Sequence, residues 1–166
     1  MIAHRSFLNA CLLHFAFAGA ALSVLMSFPA AAQERFAGQW LIAGAVAAPW
    51  ASNPKDAADE ADAQRLVGKP MTIGPTGFQA PEPLGCAKPK YVFRNATADE
   101  LFEGSLNHDG AGKDIDADVA ARALGMTRKV ARGMTASCSE VEFFLIDPDT
   151  ILFGLNNRVF TVRRAK

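Results

Sequence analysis

The last third of the chain sets short apolar blocks between turn residues, and that spacing predicts strands. Residues 137–146 carry Val141, Phe143, Phe144, Leu145 and Ile146. Asp147-Pro148-Asp149 then supplies a tight turn. Thr150–Leu155 is the next apolar block, and Asn156-Asn157 suits a two-residue hairpin because asparagine tolerates positive φ. Arg158–Arg164 follows, with Val159 and Thr161 on one side and Phe160 and Val162 on the other. Consecutive strands with such short connections predict an antiparallel meander.

Upstream the pattern is more mixed. Residues 36–46 hold aromatic and β-branched residues between glycines and read as a first strand, stopped by Pro49. Asn53-Pro54 offers an N-cap and a first-turn proline to an Ala-rich helix over 56–67, with Ala63, Leu66 and Val67 on one face and Gly68 as its stop. Met71-Thr72-Ile73 and Gly77-Phe78-Gln79 flank the turn Gly74-Pro75-Thr76. The proline-rich stretch 81–89 reads as an extended connection, and Tyr91-Val92-Phe93 resumes a strand. Thr97-x-x-Glu100 is a capping box opening a short helix through Leu106, and 107–114 is loop. Residues 117–124 predict a helix with Val119, Ala120, Ala123 and Leu124 on one face, an Asp118–Arg122 pair on the other, and Gly125 at its end. The expected fold is therefore mainly β (α+β): an antiparallel meander, a small barrel, with two or three short helices inserted mid-chain.

The N-terminus differs in kind. After Arg5 the chain is almost wholly apolar to Phe28 and ends in Pro29-Ala30-Ala31-Ala32, the small-residue pattern of a signal-peptidase site. Residues 1–32 read as a signal helix and 33–166 as a single exported β-rich domain, periplasmic or secreted from a bacterium. Uncleaved, the same run is long enough to anchor the chain in a membrane; cleaved, it leaves no membrane span. Cys11 precedes most of the apolar run, which argues against a lipoprotein box.

The domain left after cleavage is large enough to bury roughly two thirds of its unfolded surface. Lys+Arg and Asp+Glu are balanced at 17 each, and loss of Arg5 leaves the mature chain near −1. That balance excludes a basic nucleic-acid face as the organising feature. The charge is nonetheless uneven: acids crowd residues 99–118, and bases outnumber acids from Arg128 onward. The simplest reading of both is solvated loops and edges.

Cys86 and Cys138 are the cysteines that remain after cleavage. In an oxidising compartment they predict a disulfide, closing a loop of about fifty residues and worth about 4 kcal/mol on the chain-entropy model. Two free thiols or a metal pair are the alternatives, but a metal asks for more ligands than these and His108. No catalytic constellation is legible. Ser52-x-x-Lys55 lacks the companion elements of a serine-lysine acylase, and His108 sits in an Asn-His-Asp-Gly loop. Asp114-x-Asp116-x-Asp118 begins like a calcium loop but continues with Val119 where glycine is needed and Gly125 where glutamate is needed. Its acids read instead as helix-start charges. Asn95-x-Thr97 is formally a glycosylation acceptor. No cofactor motif and no metal site are expected.

Gly38-x-Trp40 opens the first predicted strand, and Arg163-Arg164 ends the last. In this the chain resembles the lipocalin and wider calycin β-barrels. The resemblance implies barrel closure at Gly38 and Trp40, with Trp40 as a floor plug and Arg163 or Arg164 as its cation–π partner. On the residues alone, Trp40 reads equally as a core aromatic. The stretch from Leu84 through Gly85, Cys86, Pro89 and Tyr91 is similar to one found in small exported proteobacterial proteins, a likeness that implies an architecture and no activity.

The function expected from all this is binding rather than catalysis: an exported barrel-like protein for an apolar small ligand. The alternative is an exported inhibitor of a protease or other hydrolase, using the segment before the first strand as the docking element. The cleavage reading has a direct check. N-terminal sequencing of the exported form should begin at Gln33, and full-length protein retained in the membrane would overturn it.

Overall fold

The computed structural model describes residues 28–166. The greater part of the predicted signal segment, with Cys11, lies outside them. The elements run α1 (Phe28–Phe36), β1 (Gly38–Ala47), α2 (Ala57–Leu66), β2 (Pro70–Ile73), β3 (Phe78–Gln79) and β4 (Tyr91–Ala96). A 3₁₀ segment, Ala98–Asn107, and α3 (Ala117–Ala123) precede β5 (Ala131–Ala136), β6 (Glu142–Asp147), β7 (Thr150–Leu155) and β8 (Arg158–Arg164). All strand pairs are antiparallel, in one sheet of order β3-β2-β1-β8-β7-β6-β5-β4. Among the described residues no helix is long and apolar enough to cross a membrane.

The sheet curls as a half-barrel and does not close through a β-ladder. The first and last strands do pair, from Trp40 opposite Arg164 to Ala47 opposite Arg158, but they meet in the middle of the sheet. The edges are β3 and β4. They are unequal, two residues against six, and no ladder forms between them. Other contacts span the gap. Cys86 exchanges backbone hydrogen bonds of 3.0 and 2.7 Å with Phe78 of β3. Cys86 is also disulfide-bonded to Cys138, just beyond β5, with a Cα–Cα distance of 6.1 Å. The Tyr91 hydroxyl on β4 donates to the carbonyls of Gly74 and Gly77, at 3.0 and 3.2 Å, in the β2–β3 turn. Phe36 at the end of α1 packs on Phe93 of β4, ring centroids 5.8 Å apart.

Several sequence expectations need correction. Phe36 ends a helix rather than opening β1, which starts at Gly38. The cap of α2 is Asp56, whose carboxylate accepts from the Ala58 and Asp59 amides, while Asn53-Pro54 form a preceding turn. Residues 137–141 are a turn pinned by the disulfide and not the start of a long strand. The extra strand lies just before it, at β5. Val119 is exposed, because α3 buries Ala117, Ala120 and Ala121 instead. Asp118 and Arg122 form no ion pair among the described residues. The Thr97–Glu100 capping box is present, but the segment it opens is 3₁₀ and is interrupted by left-handed backbone at Phe102 and Glu103.

Both faces of the C-terminal strands are buried. Phe143, Phe153 and Phe160 are successive register partners across β6, β7 and β8, with centroid separations of 5.5 and 4.7 Å. With Trp40, Phe36 and Phe78 they fill the concave side. Aromatic and aliphatic cross-strand pairs of this kind contribute roughly 0.2–1 kcal/mol each beyond their area. On the convex side Phe144, Leu152 and Val159 pack beneath Leu101, Phe102, Leu106 and α3. Gly133 allows a polar crossing there: a Cβ would collide with Glu142 Oε1, where Glu142 accepts from Arg94 in a two-pronged pair.

Tyr91 gives the seam a spectroscopic handle, since it is the chain's one tyrosine. Burial raises its pKa above the ordinary 10.0. Its seam contribution is therefore complete below pH 10 and is lost as pH rises through the elevated native value, when the donor proton leaves. Phenolate absorbance in the native protein should rise at higher pH than in denaturant; coincident curves would mean a free hydroxyl. Tyr91→Phe should cost about 1 kcal/mol in urea unfolding.

Candidate functional site

The pattern Gly38-x-Trp40 and one of the terminal arginines, Arg164, meet at one end of the half-barrel. Trp40 is buried, and its indole N–H donates to the Phe36 carbonyl at 2.8 Å. The Arg164 guanidinium lies over its ring, 4.1 Å from the centroid. Arg164 also donates to the carbonyls of Ala37 at 3.0 Å, Arg35 at 2.8 Å and Pro148 at 3.0 Å, and pairs with Asp149 at 3.2 Å. Gly38 makes this approach possible: its φ is +128°, and a Cβ would sit 3.0 Å from Arg164 Nη1. Arg163, the other arginine considered, points elsewhere and donates to the Thr150 hydroxyl.

Beside this clamp lies an open hollow of about 620 Å³. Its wall is drawn from the end of α1, β4, the approach to β5, and the β6–β7 turn. Register explains the floor. Asn95, Arg132 and Leu145 are successive partners across β4, β5 and β6, so their side chains share one row on the concave face. Arg132 is half-buried and donates to Asn95 Oδ1 at 2.7 Å. Arg35, Arg128 and Arg164 complete a basic frame, and Asp147 is the one carboxylate in the wall. Val130, Ala131 and Leu145 supply apolar surface.

The remaining sequence candidates sit apart from this hollow. Cys86 and Cys138 brace the gap between the sheet edges. His108 is exposed and pairs with Asp114 at 2.9 Å. Asp116 caps α3 by accepting from the Val119 amide. Among the described residues no group of His, Cys, Asp and Glu is arranged to hold a metal ion. A smaller hollow of about 200 Å³ on the convex side is bordered by Trp50, Phe102 and Glu142.

Sequence reasoning assigned none of Arg35, Asn95, Arg128, Arg132 or Asp147 to a binding site; Asn95 entered it only as a formal glycosylation acceptor and Asp147 only as a turn residue. They are scattered along the chain and together make no motif. The one available signal was the excess of bases from Arg128 onward, which read as solvated surface. No protein-family model, no curated protein and no solved structure matches the chain.

The clamp generates a mutational test. Trp40→Ala should destabilise by about 3–5 kcal/mol, as large aromatic truncations in cores do. Arg164→Ala should cost roughly 1–3 kcal/mol. Denaturant unfolding of a double-mutant cycle should show coupling of Trp40 to Arg164 of about 1 kcal/mol and none to Arg163. Equal coupling to both arginines would overturn the assignment.

Proposed function

We propose that the chain is an exported binding protein of barrel-like form that holds a small ligand in the arginine-framed hollow. The observation that carries this reading is a contrast within one molecule. The concave interior is filled by Trp40, Phe36, Phe78, Phe143, Phe153 and Phe160, whereas an open hollow of about 620 Å³ lies at its end. Small-molecule sites are typically clefts of about 300–1,000 Å³ that combine apolar surface with a few placed polar groups. An apolar ligand inside the curl would have to displace those aromatics, so the end hollow is the better seat. The polar groups in its wall are guanidinium, amide and carboxylate. Guanidinium and amide groups hold and orient a ligand rather than attack it, and the carboxylate, Asp147, is engaged by the Asp149 amide in the β6–β7 turn, which favours binding over catalysis.

Export rests on the signal pattern and agrees with the Cys86–Cys138 disulfide. Cleavage after Ala32 would remove that residue from the wall and leave the other lining residues in the mature chain. The inhibitor reading asks for a free segment before β1. Here Phe36 is fully buried and the Arg35 carbonyl is held by Arg164, which favours the ligand reading.

The test uses the mature protein purified from outside the cytoplasm. Organic extraction and mass spectrometry, together with thermal-shift screening of small metabolites, should identify a bound compound. Val130 is 44% exposed, so Val130→Trp can fill the hollow without disturbing the core. That variant should lose the compound several-fold. An empty extract with no stabilising metabolite would overturn the proposal, as would a compound retained equally by the variant.

A further inference from the structure

We infer that the ligand of this hollow carries an oxyanion, a carboxylate or a phosphoryl group, received by Arg132 and Arg128 with Arg35 at the rim. The inference rests on the hollow being the binding site. It follows from how the four arginines of the wall are engaged. Arg164 is committed to the clamp: its nitrogens serve three carbonyls, and Asp149 balances its charge. Among the described residues Arg132 has only a neutral partner, Asn95 Oδ1, which orients the guanidinium and leaves its charge uncompensated. Arg35 and Arg128 make no side-chain hydrogen bond or ion pair among the described residues.

Against these stands Asp147. Its Oδ1 accepts the Asp149 amide at 2.8 Å, so it is engaged in the β6–β7 turn, and it forms no ion pair among the described residues. Like charges gathered in a concavity with low-dielectric walls raise the local potential and concentrate counter-ions. A guanidinium fork matches the paired oxygens of a carboxylate or phosphate, which makes arginine well suited to such groups. The Asn95–Arg132–Leu145 row sets one such fork directly beside apolar surface. The ligand class is accordingly a small organic acid or phosphate ester, its charged end on Arg132 and Arg128 and a short apolar portion against Leu145 and Val130. Enclosure by four segments suits a small molecule better than a polymer backbone.

The experiment is titration calorimetry on the mature protein at fixed ionic strength. Inorganic phosphate and succinate serve as anionic probes, and succinamide as the neutral counterpart. At least one anion should bind saturably and succinamide should not. Phosphate alone would point to a phosphoryl group and succinate alone to a carboxylate. Arg132→Gln and Arg128→Gln should each weaken anion binding about tenfold or more. Arg122→Gln, on the exposed side of α3, should leave it unchanged. Equal losses in all three variants would mean generalised charge attraction and overturn the inference. A neutral compound recovered by extraction, lost in Val130→Trp but bound normally by Arg132→Gln, would overturn the oxyanion inference and leave the hollow as the binding site. Absence of binding by any probe, with an empty extract, would overturn both.

Discussion

Arg164 is where separate parts of the chain are held to one another. Its guanidinium covers Trp40 of β1, donates to the carbonyls at the α1–β1 junction, and ties down the β6–β7 turn through Pro148 and Asp149. The first two adjoin one another at the start of β1, and the β6–β7 turn is far from them in sequence. Charged hydrogen bonds to carbonyls are stronger than neutral ones, and a ring beneath the same group adds an attraction that does not compete for its N–H donors. Gly38 is the permissive condition, since a side chain there would press on the guanidinium. The wall of the hollow depends on the same contacts, because Arg35 and Pro148 both border it.

Burial of the C-terminal strands on both faces decides where chemistry can sit. The concave side is taken by the aromatic row through Phe143, Phe153 and Phe160, and the convex side by the 3₁₀ segment and α3. Uncompensated charges are too costly to place within either layer. Polar groups therefore collect where the rows run out. The row that begins at Asn95 and Arg132 becomes wholly apolar at Leu145, Ile151, Val162 and Ile42 as it crosses the sheet. One line of register partners thus passes from solvent-facing guanidinium to sealed core.

The parts of this fold that are legible in sequence are those with local punctuation. β7 lies between Asp147-Pro148-Asp149 and Asn156-Asn157, and β8 follows the second turn; the preferences of both turns leave little freedom in register, and Asn156 does take φ +53°. β5 is not legible, because Ala131-Arg132-Gly133-Met134-Thr135-Ala136 lacks the aromatic and β-branched weight of a strand and owes its state to its neighbours on either side. Residues 137–141 mislead in the opposite direction: Val141 continues the apolar block, but Ser137 and Ser139 close a turn. The open form of the sheet depends on which strands become edges, a property of the whole topology. The basic hollow is illegible for the same reason. Its arginines converge only when residues 35, 128, 132 and 164 are brought together by β1, β5 and β8.

The strand order has a consequence for how the chain reaches this state. β1 has no ladder partner on one side until β8 exists, and β2 and β3 join the ladder of the sheet through β1. The β1–β2–β3 unit can pair within itself, but its ladder to the rest of the sheet waits while more than a hundred intervening residues are synthesised. Pairings this distant in sequence are slow to form, because loop closure must precede the contacts that stabilise it. The β1–β8 pairing is therefore the step that joins the N-terminal strands to the β4–β8 meander, and it becomes possible only once β8 is available.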